Sequence, residues 1–240
     1  MKIKTNHFDK NVIESYLQIC KHIDFSLFVE TIPQSQEELS SINIISMHEP
    51  NEYFGLHDWT IQNKHLFNII LTWNDKVLNN CDNAIFLPFG HTWFKSNQYE
   101  KEHIKEFKIA HLRGNLLKSY GHQIRWEILD RKNEVKVPIK FFDVYGDRHN
   151  IEKARIDKEE VFGDAQFGVA IENFSHRGWF SEKILDCFLT GTIPIYVGSK
   201  TTREYFDSDG IIYFEGDEDL PEILEKLSVE LYQSKIESIK

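Results

Sequence analysis

Glu172, Asn173, Ser175, His176, Arg177, Ser181, Glu182 and Lys183 crowd one short stretch of the chain, between two apolar runs. Before them come Phe167, Val169, Ala170 and Ile171; after them Ile184, Leu185, Phe188 and Leu189 recur at helical spacing. Ser181 is a helix-capping residue type and Gly191 a helix-stopping one, and Ile193–Val197 follows as a second apolar run. The pattern predicts strand, polar loop, short helix and strand. Its polar side chains gather after the first strand and on the first helical turn, where free backbone N–H groups and the positive end of the helix dipole lie. Lys183 adds a full charge there. A phosphate or diphosphate is the ligand that such chemistry suits.

The surrounding elements must hold this site at a sheet edge. A strand, helix and strand this close in sequence imply parallel pairing with a right-handed crossover. The chain divides into two zones, 1–98 and 99–240, with no low-complexity linker and no internal repeat. The first alternates a helix over 10–22, strands over 25–29, 42–47 and 67–71, a short helix from Asn74, and a strand over 84–87. The second places strands near 107–112, 139–145, 167–171, 193–197 and 211–214, separated by helix-like stretches. That is a doubly wound pattern, whose ligands bind beyond the strand C-terminal ends. Leu220, Ile223, Leu224 and Leu227 are in helical register and predict a closing helix over 219–232.

The site stretch resembles the signature of the α-fucosyltransferases, glycosyltransferase family ten. The matching residues are Glu172-Asn173, then Trp179-Phe180-Ser181-Glu182-Lys183, then Gly191-Thr192-Ile193-Pro194-Ile195-Tyr196-Val197-Gly198. Upstream, Gly121-His122-Gln123-Ile124-Arg125 is similar to the stretch that supplies the family's donor-binding arginine. The similarity covers residues 107–215, and the N-terminal third matches only loosely. The resemblance implies a GT-B fold, α/β with two Rossmann-like domains, here with the N-terminal one abbreviated. It implies an inverting glycosyltransferase that moves fucose from GDP-fucose to a glycan hydroxyl, with Arg125, Glu172, Asn173, Ser175, Trp179, Ser181, Glu182 and Lys183 on the donor. Trp179 stands where the family commonly carries a tyrosine, so a hydroxyl contact is missing. Two alternatives stay open: the same scaffold serving another nucleotide sugar, and a catalytically inactive module that binds a nucleotide sugar or a glycan.

Transfer of a sugar to a hydroxyl sets two needs. The departing diphosphate gains negative charge, which fixed cations and N–H dipoles stabilise, and the attacking hydroxyl must lose a proton to a base on the opposite face of the sugar. Lys183, Arg125 and the helix start at Ser181 answer the first. For the second, Glu49 follows the strand over 42–47, in His48-Glu49-Pro50-Asn51-Glu52. The family places its base, a glutamate, after a comparable strand. Glu52 competes, and the alternative in which both are solvated loop carboxylates stands beside these. Arg125 likewise is either a phosphate contact or a solvated arginine next to inward-turned Ile124 and Ile128.

Composition narrows the partners. A formal net charge of -10 argues against nucleic acid or an anionic membrane as the main partner. Cys20, Cys81 and Cys187 form neither a metal spacing nor an even framework, and Cys187, among helix core positions, reads as a reduced buried thiol. The start MKIKTNHFDK has no apolar signal segment and no stretch is long enough to span a bilayer. A cytoplasmic form is the expectation, unlike the membrane-anchored animal members of the family.

Other motifs fail on chemistry. His48-Glu49-Pro50-Asn51-Glu52 lacks the second histidine of a zinc-protease helix, and Pro50 would break that helix. Gly198-Ser199-Lys200-Thr201 lacks the spacing of a phosphate loop. Asp207-Ser208-Asp209 has a metal-binding form, yet it leads through Gly210 into a strand and so predicts a turn. His111, His122 and His176 are candidates to line the cleft, but none has metal spacing, and a satisfied surface or core role is the expectation. No metal or cofactor is therefore expected beyond the donor substrate. Trp73 and Trp93, just past predicted strands, suit either stacking on an acceptor sugar or packing.

Overall fold

Alternating apolar residues and turn-forming punctuation settle, among the described residues, into ten short strands in two sheets. A computed structural model describes residues 1–6, 10, 13–14, 17–20, 22–88, 92, 94, 104–114, 116–143, 157–214 and 220–239 of the chain. The described residues form two compact units, one of Met1–Phe89 with Arg177–Trp179, the other of Gly90–His176 with Phe180–Lys240.

The first unit carries β1 (Lys2–Thr5), β2 (Phe25–Val29), β3 (Ile42–Met47), β4 (Ile69–Thr72) and β5 (Ala84–Phe86), all parallel and in sequence order across the sheet. Helices α1 (Asn51–Phe54) and α2 (Leu56–Gln62) follow β3, and α3 (Asp75–Asn80) follows β4. Phe28, Ile45, Met47, Leu56, Ile70 and Val77 make its core. Asn74 caps α3, its side chain accepting from the Val77 N–H at 3.2 Å. β1 escaped the sequence pattern because KIKT is mostly polar; it forms as an edge partner of β2, with Lys2 Nζ donating to the Glu37 and Leu39 carbonyls and Lys4 Nζ to Glu38. Of the helix expected over 10–22, part lies outside the described residues, and Gln18–Cys20 is a 3-10 turn.

The second unit carries β6 (Glu106–Arg113), β7 (Ile139–Asp143), β8 (Ala165–Ile171), β9 (Ile193–Val197) and β10 (Ile212–Tyr213). Every pairing is parallel, in the order β7-β6-β8-β9-β10. The order reverses at β6, which has β7 on one side and β8 on the other. That is the doubly wound arrangement, whose ligand crevice opens beyond the strand C-terminal ends at the reversal. Residues 144–145 of the strand expected over 139–145 lie outside the described residues. β8 and β9 are buried along their whole length, as fully covered parallel strands require.

Helix α4 (Tyr120–Asp130) follows β6, α5 (Lys158–Phe162) precedes β8, and α6 (Glu182–Leu189) links β8 to β9. Ile124 and Ile128 of α4 pack with Ile109, Phe167, Ile171 and Ile195 in the core. Gly191, at φ 67°, ends α6 in the left-handed conformation that glycine adopts without cost. The closing helix expected over 219–232 is two helices, α7 (Leu220–Glu225) and α8 (Val229–Lys235). Ser228 breaks it by capping α8, its Oγ accepting from the Leu231 N–H at 3.1 Å.

Candidate functional site

β8 ends at Ile171, and the next residue, Glu172, keeps the register by donating its N–H to the Val197 carbonyl at 2.8 Å. Its side chain is fully buried. Oε1 accepts the Ser181 N–H at 2.7 Å, and Oε2 accepts the Ser181 hydroxyl at 2.6 Å and the Lys183 ammonium at 3.2 Å. Lys183 Nζ also donates to Ser181 Oγ at 2.8 Å, while the Ser181 side chain caps α6. A carboxylate so buried is tolerable only because a charge and charge-assisted hydrogen bonds satisfy it. It fixes the start of α6 to the end of β8. Burial opposes the Lys183 charge, but Glu172 and Glu182 outweigh it and hold the ammonium above its ordinary pKa. Glu182 is the looser partner, with Oε1 3.9 Å from Lys183 Nζ.

Arg125 is 6% exposed, so it is not the solvated arginine that its sequence surroundings allowed. From α4 its Nη1 donates to the Ile171 carbonyl and its Nη2 to Asn173 Oδ1. The guanidinium thus pins the chain on either side of Glu172. α4 comes this close because position 121 is glycine: a Cβ there would stand 1.7 Å from the Glu172 carbonyl oxygen. His122 is buried beside it, its Nδ1 2.5 Å from Ser119 Oγ. Burial, then the Arg125 and Lys183 charges, push this imidazole down to about 4, so it is neutral at pH 7.

Beyond these groups, at the C-terminal ends of β8, β9 and β10, opens a cavity of about 350 Å³. Glu172, Asn173 and Ser175 line it together with Tyr120, Gly198 and Lys200. Arg125, Ser181 and Lys183 meet the same Glu172-Asn173 corner through hydrogen bonds. Tyr120 and Lys200 were missed by sequence reasoning. The signal for Lys200 lay in Gly198-Ser199-Lys200-Thr201, set aside because its spacing is not that of a phosphate loop; here Ser199 caps the 3-10 turn Lys200–Glu204. Gly198 is demanded by packing, since a Cβ would fall 2.3 Å from the Tyr196 hydroxyl and 2.8 Å from Glu172 Cγ. Burial pushes the Tyr196 phenol well above its ordinary value.

Trp179 belongs with the first unit, is 2% exposed, packs on Trp73 at 6.0 Å between ring centroids, and donates its indole N–H to the His48 carbonyl at 2.9 Å. Trp73, 1% exposed, donates to the same carbonyl at 2.7 Å. Trp93 lies outside the described residues.

Glu49 stands two residues past the end of β3, half-buried, while Glu52 is exposed on the first turn of α1. The turn that presents Glu49 is held by a residue the sequence reading passed over. Glu30, directly after β2, is 1% exposed, and its Oε1 accepts the His48 and Glu49 N–H groups, the latter at 2.9 Å. Burial raises its carboxyl to about 7 against those hydrogen bonds, and the Glu49 charge adds to the rise. His48 Nε2 lies 2.8 Å from Ser46 Oγ.

Among the described residues no group of three or more His, Cys, Asp or Glu is placed to hold a metal ion. Asp207 Oδ1 accepts the Asp209 N–H at 2.9 Å and caps a 3-10 turn, Ser208–Gly210. No described helix is long and apolar enough to cross a membrane.

No family model matches the chain. A putative fucosyltransferase-like protein of Arabidopsis thaliana is 27% identical over 94 residues, 39% of this chain and 18% of the relative. The 4-galactosyl-N-acetylglucosaminide 3-alpha-L-fucosyltransferase 9 of Cricetulus griseus is 23% identical over 155 residues, 63% of this chain and 40% of the relative. The chain thus spans less than half the length of these curated relatives. The crystal structure of an alpha1,3-fucosyltransferase matches with a TM-score of 0.62 at 15% identity, and the same activity's complex with GDP-fucose with 0.59 at 15%; each match covers 98% of this chain and 81% of that one. The likeness is one of fold: the two parallel α/β sheets are the Rossmann-like units of the GT-B class.

Proposed function

We propose that this chain is an inverting glycosyltransferase that takes a sugar from a nucleotide diphosphate, GDP-fucose in the first instance, and moves it to a glycan hydroxyl. The observation that carries the reading is the Glu172-Ser181-Lys183 corner, set beside a cavity at the C-terminal edge of a doubly wound sheet. The fucosyltransferase relatives support the choice of donor.

In this reading the diphosphate meets the N-terminus of α6, Lys183 and Arg125. An ammonium has three donors, and Glu172 and Ser181 take two of them. Asn173, Ser175 and Glu182 offer hydrogen bonds to the donor's hydroxyls. The acceptor oxygen bonds to the anomeric carbon as the bond to the diphosphate oxygen breaks and its electron pair leaves with the diphosphate. Glu49 takes the hydroxyl proton. Fixed cations and dipoles stabilise the departing charge, so the reaction runs without a divalent metal.

Calorimetric titration with GDP, UDP and CMP, followed by donor consumption in EDTA with a 4-galactosyl-N-acetylglucosaminide as probe acceptor, tests this. GDP should bind most tightly and turnover should persist in EDTA. Tighter UDP or CMP binding would reassign the donor, activity that returns only with manganese would bring Asp207 and Asp209 back, and no nucleotide binding would end the reading.

A further inference from the structure

Glu30 is, among the described residues, the non-glycine residue with a left-handed backbone, at φ 52°. Such a conformation in a long side chain persists only where its surroundings impose it, and it clusters at functional sites. Here the Glu30 N–H donates to the Ser46 carbonyl at 3.0 Å, extending the pairing of β2 with β3, and the turn buries the carboxyl group. One oxygen then receives both the His48 and the Glu49 N–H. The His48 carbonyl receives the indole N–H groups of Trp73 and Trp179. The peptide between His48 and Glu49 is therefore held on both sides. Its neighbour Pro50 is buried at the N-cap position of α1, and its ring limits the chain there.

We infer that Glu30 is a positioning residue, whose buried carboxylate fixes the His48-Glu49 turn and thereby sets where the Glu49 carboxylate stands; this rests on Glu49 serving as base in the proposed reaction. An apolar residue that merely filled the space would take away the oxygen that accepts both N–H groups, which is costly. Glu30 therefore acts through Glu49 and touches no substrate. Both N–H groups meet the same oxygen, so an acceptor oxygen at that place is what the turn requires. A glutamine keeps that oxygen, an aspartate is too short to reach both N–H groups, and an alanine has nothing to offer.

The experiment compares Glu30→Gln, Glu30→Asp and Glu30→Ala in the full chain, by amide hydrogen exchange of the peptide spanning residues 47–50 and by steady-state transfer from GDP-fucose to a 4-galactosyl-N-acetylglucosaminide. Ala and Asp should lose exchange protection at 48 and 49 and lower kcat by about a hundredfold, the usual cost of a misplacement near 1 Å, with KM for GDP-fucose unchanged. Gln should restore both. Protection unchanged in Ala and Asp, or protection lost with kcat retained, overturns the inference. Should Ala fail to fold, the Gln and Asp pair gives the same contrast. Glu49→Gln is measured alongside: full turnover in that variant removes Glu49 as base and so defeats the underlying reading, a result separate from the exchange data, which alone decide whether Glu30 holds the turn.

Discussion

Lys183 and Glu172 share one buried corner, so each substitution there acts on stability and on ligand at once. Lys183→Ala leaves the fully buried Glu172 carboxylate with Ser181 alone. Breaking a buried pair by removing one partner costs about 3–5 kcal/mol, so the variant should melt earlier and bind GDP weakly. Calorimetry at a temperature where the variant is folded separates the two effects, and wild-type affinity there would remove Lys183 from the donor. Glu172→Gln should destabilise similarly, because an amide N–H₂ would face an ammonium and a hydroxyl that both donate. Glu182→Gln, at a looser 3.9 Å and partly exposed, should leave the melting temperature nearly alone and lower turnover. Equal melting shifts for the two glutamates would contradict this account. Glu49→Gln should differ from all three. Donor binding stays as in the wild type, while transfer falls by about a hundredfold to ten-thousandfold, the usual share of a general base. If turnover survives, Glu52→Gln is the next variant to measure.

Among the elements, α4 matters through how closely it approaches the end of β8. The Gly121 Cα faces the Glu172 carbonyl so directly that any side chain must move either the helix or the strand end, and with it Arg125 and the Glu172 carboxylate. Gly121→Ala should therefore cost about 1–3 kcal/mol, as overpacking of a tight contact does, and should weaken GDP binding as well. Gly114→Ala is the control, since nothing lies within 4 Å of its added Cβ. Thermal melts with and without GDP give both readouts; a Gly121→Ala protein that behaves like Gly114→Ala would show that the two backbones yield without consequence. On the opposite face α6 is anchored by ion pairing, with Asp186 fully buried against Lys158 at 2.7 Å and Thr92 at 2.7 Å. Lys105 locks the N-terminal end of β8, its Nζ donating to the Phe162 and Ala165 carbonyls and Thr192 Oγ1. Burial pushes that ammonium down to about 7. These contacts hold α6 still while its first turn presents Ser181 and Lys183.

Over the whole molecule, three buried groups set the acid limb of stability. Burial, then Arg125 and Arg113, push His111 down to about 3, and His122 falls to about 4. Unfolding releases both to ordinary histidine values, so below pH 6.5 the unfolded chain binds more protons and the fold loses stability as pH falls. Glu30 runs the other way: raised to about 7, it contributes stability that is fully present below its unfolded value of 4.5 and lost as pH rises through 7. Between pH 6.5 and 4.5 two histidines oppose one glutamate, leaving about one proton taken up on unfolding, or about 1.4 kcal/mol per pH unit. The melting temperature should therefore drop across that window, and His111→Leu should flatten the drop. A wild-type melting temperature that is level from pH 6.5 to 4.5 would refute the assignment.

The sequence by itself determined what is local. The limits of β2, β3 and β9, the Ser181 cap and the Gly191 stop follow from apolar runs, capping side chains and the residue type that adopts positive φ without cost, all readable within a few positions. The same locality made Glu172, Asn173 and Lys183 visible as one group, since a strand, a loop and a first helical turn bring them together along the chain. It failed where neighbours are distant in sequence. β1 has too few apolar residues to announce itself and exists because β2 offers it an edge. Ser228 splits the closing helix although the hydrophobic register continues. Glu30 looked like any acidic residue after a strand, and only the parallel pairing of Val29 with Ser46 carries its carboxylate to the His48 and Glu49 N–H groups. Trp179 stands close to Ser181 in the sequence, and only the folded chain brings its indole N–H to the His48 carbonyl. Propensity and capping act over one turn or one strand, whereas burial, the pairing of charges and the approach of one backbone to another depend on which elements the fold sets side by side.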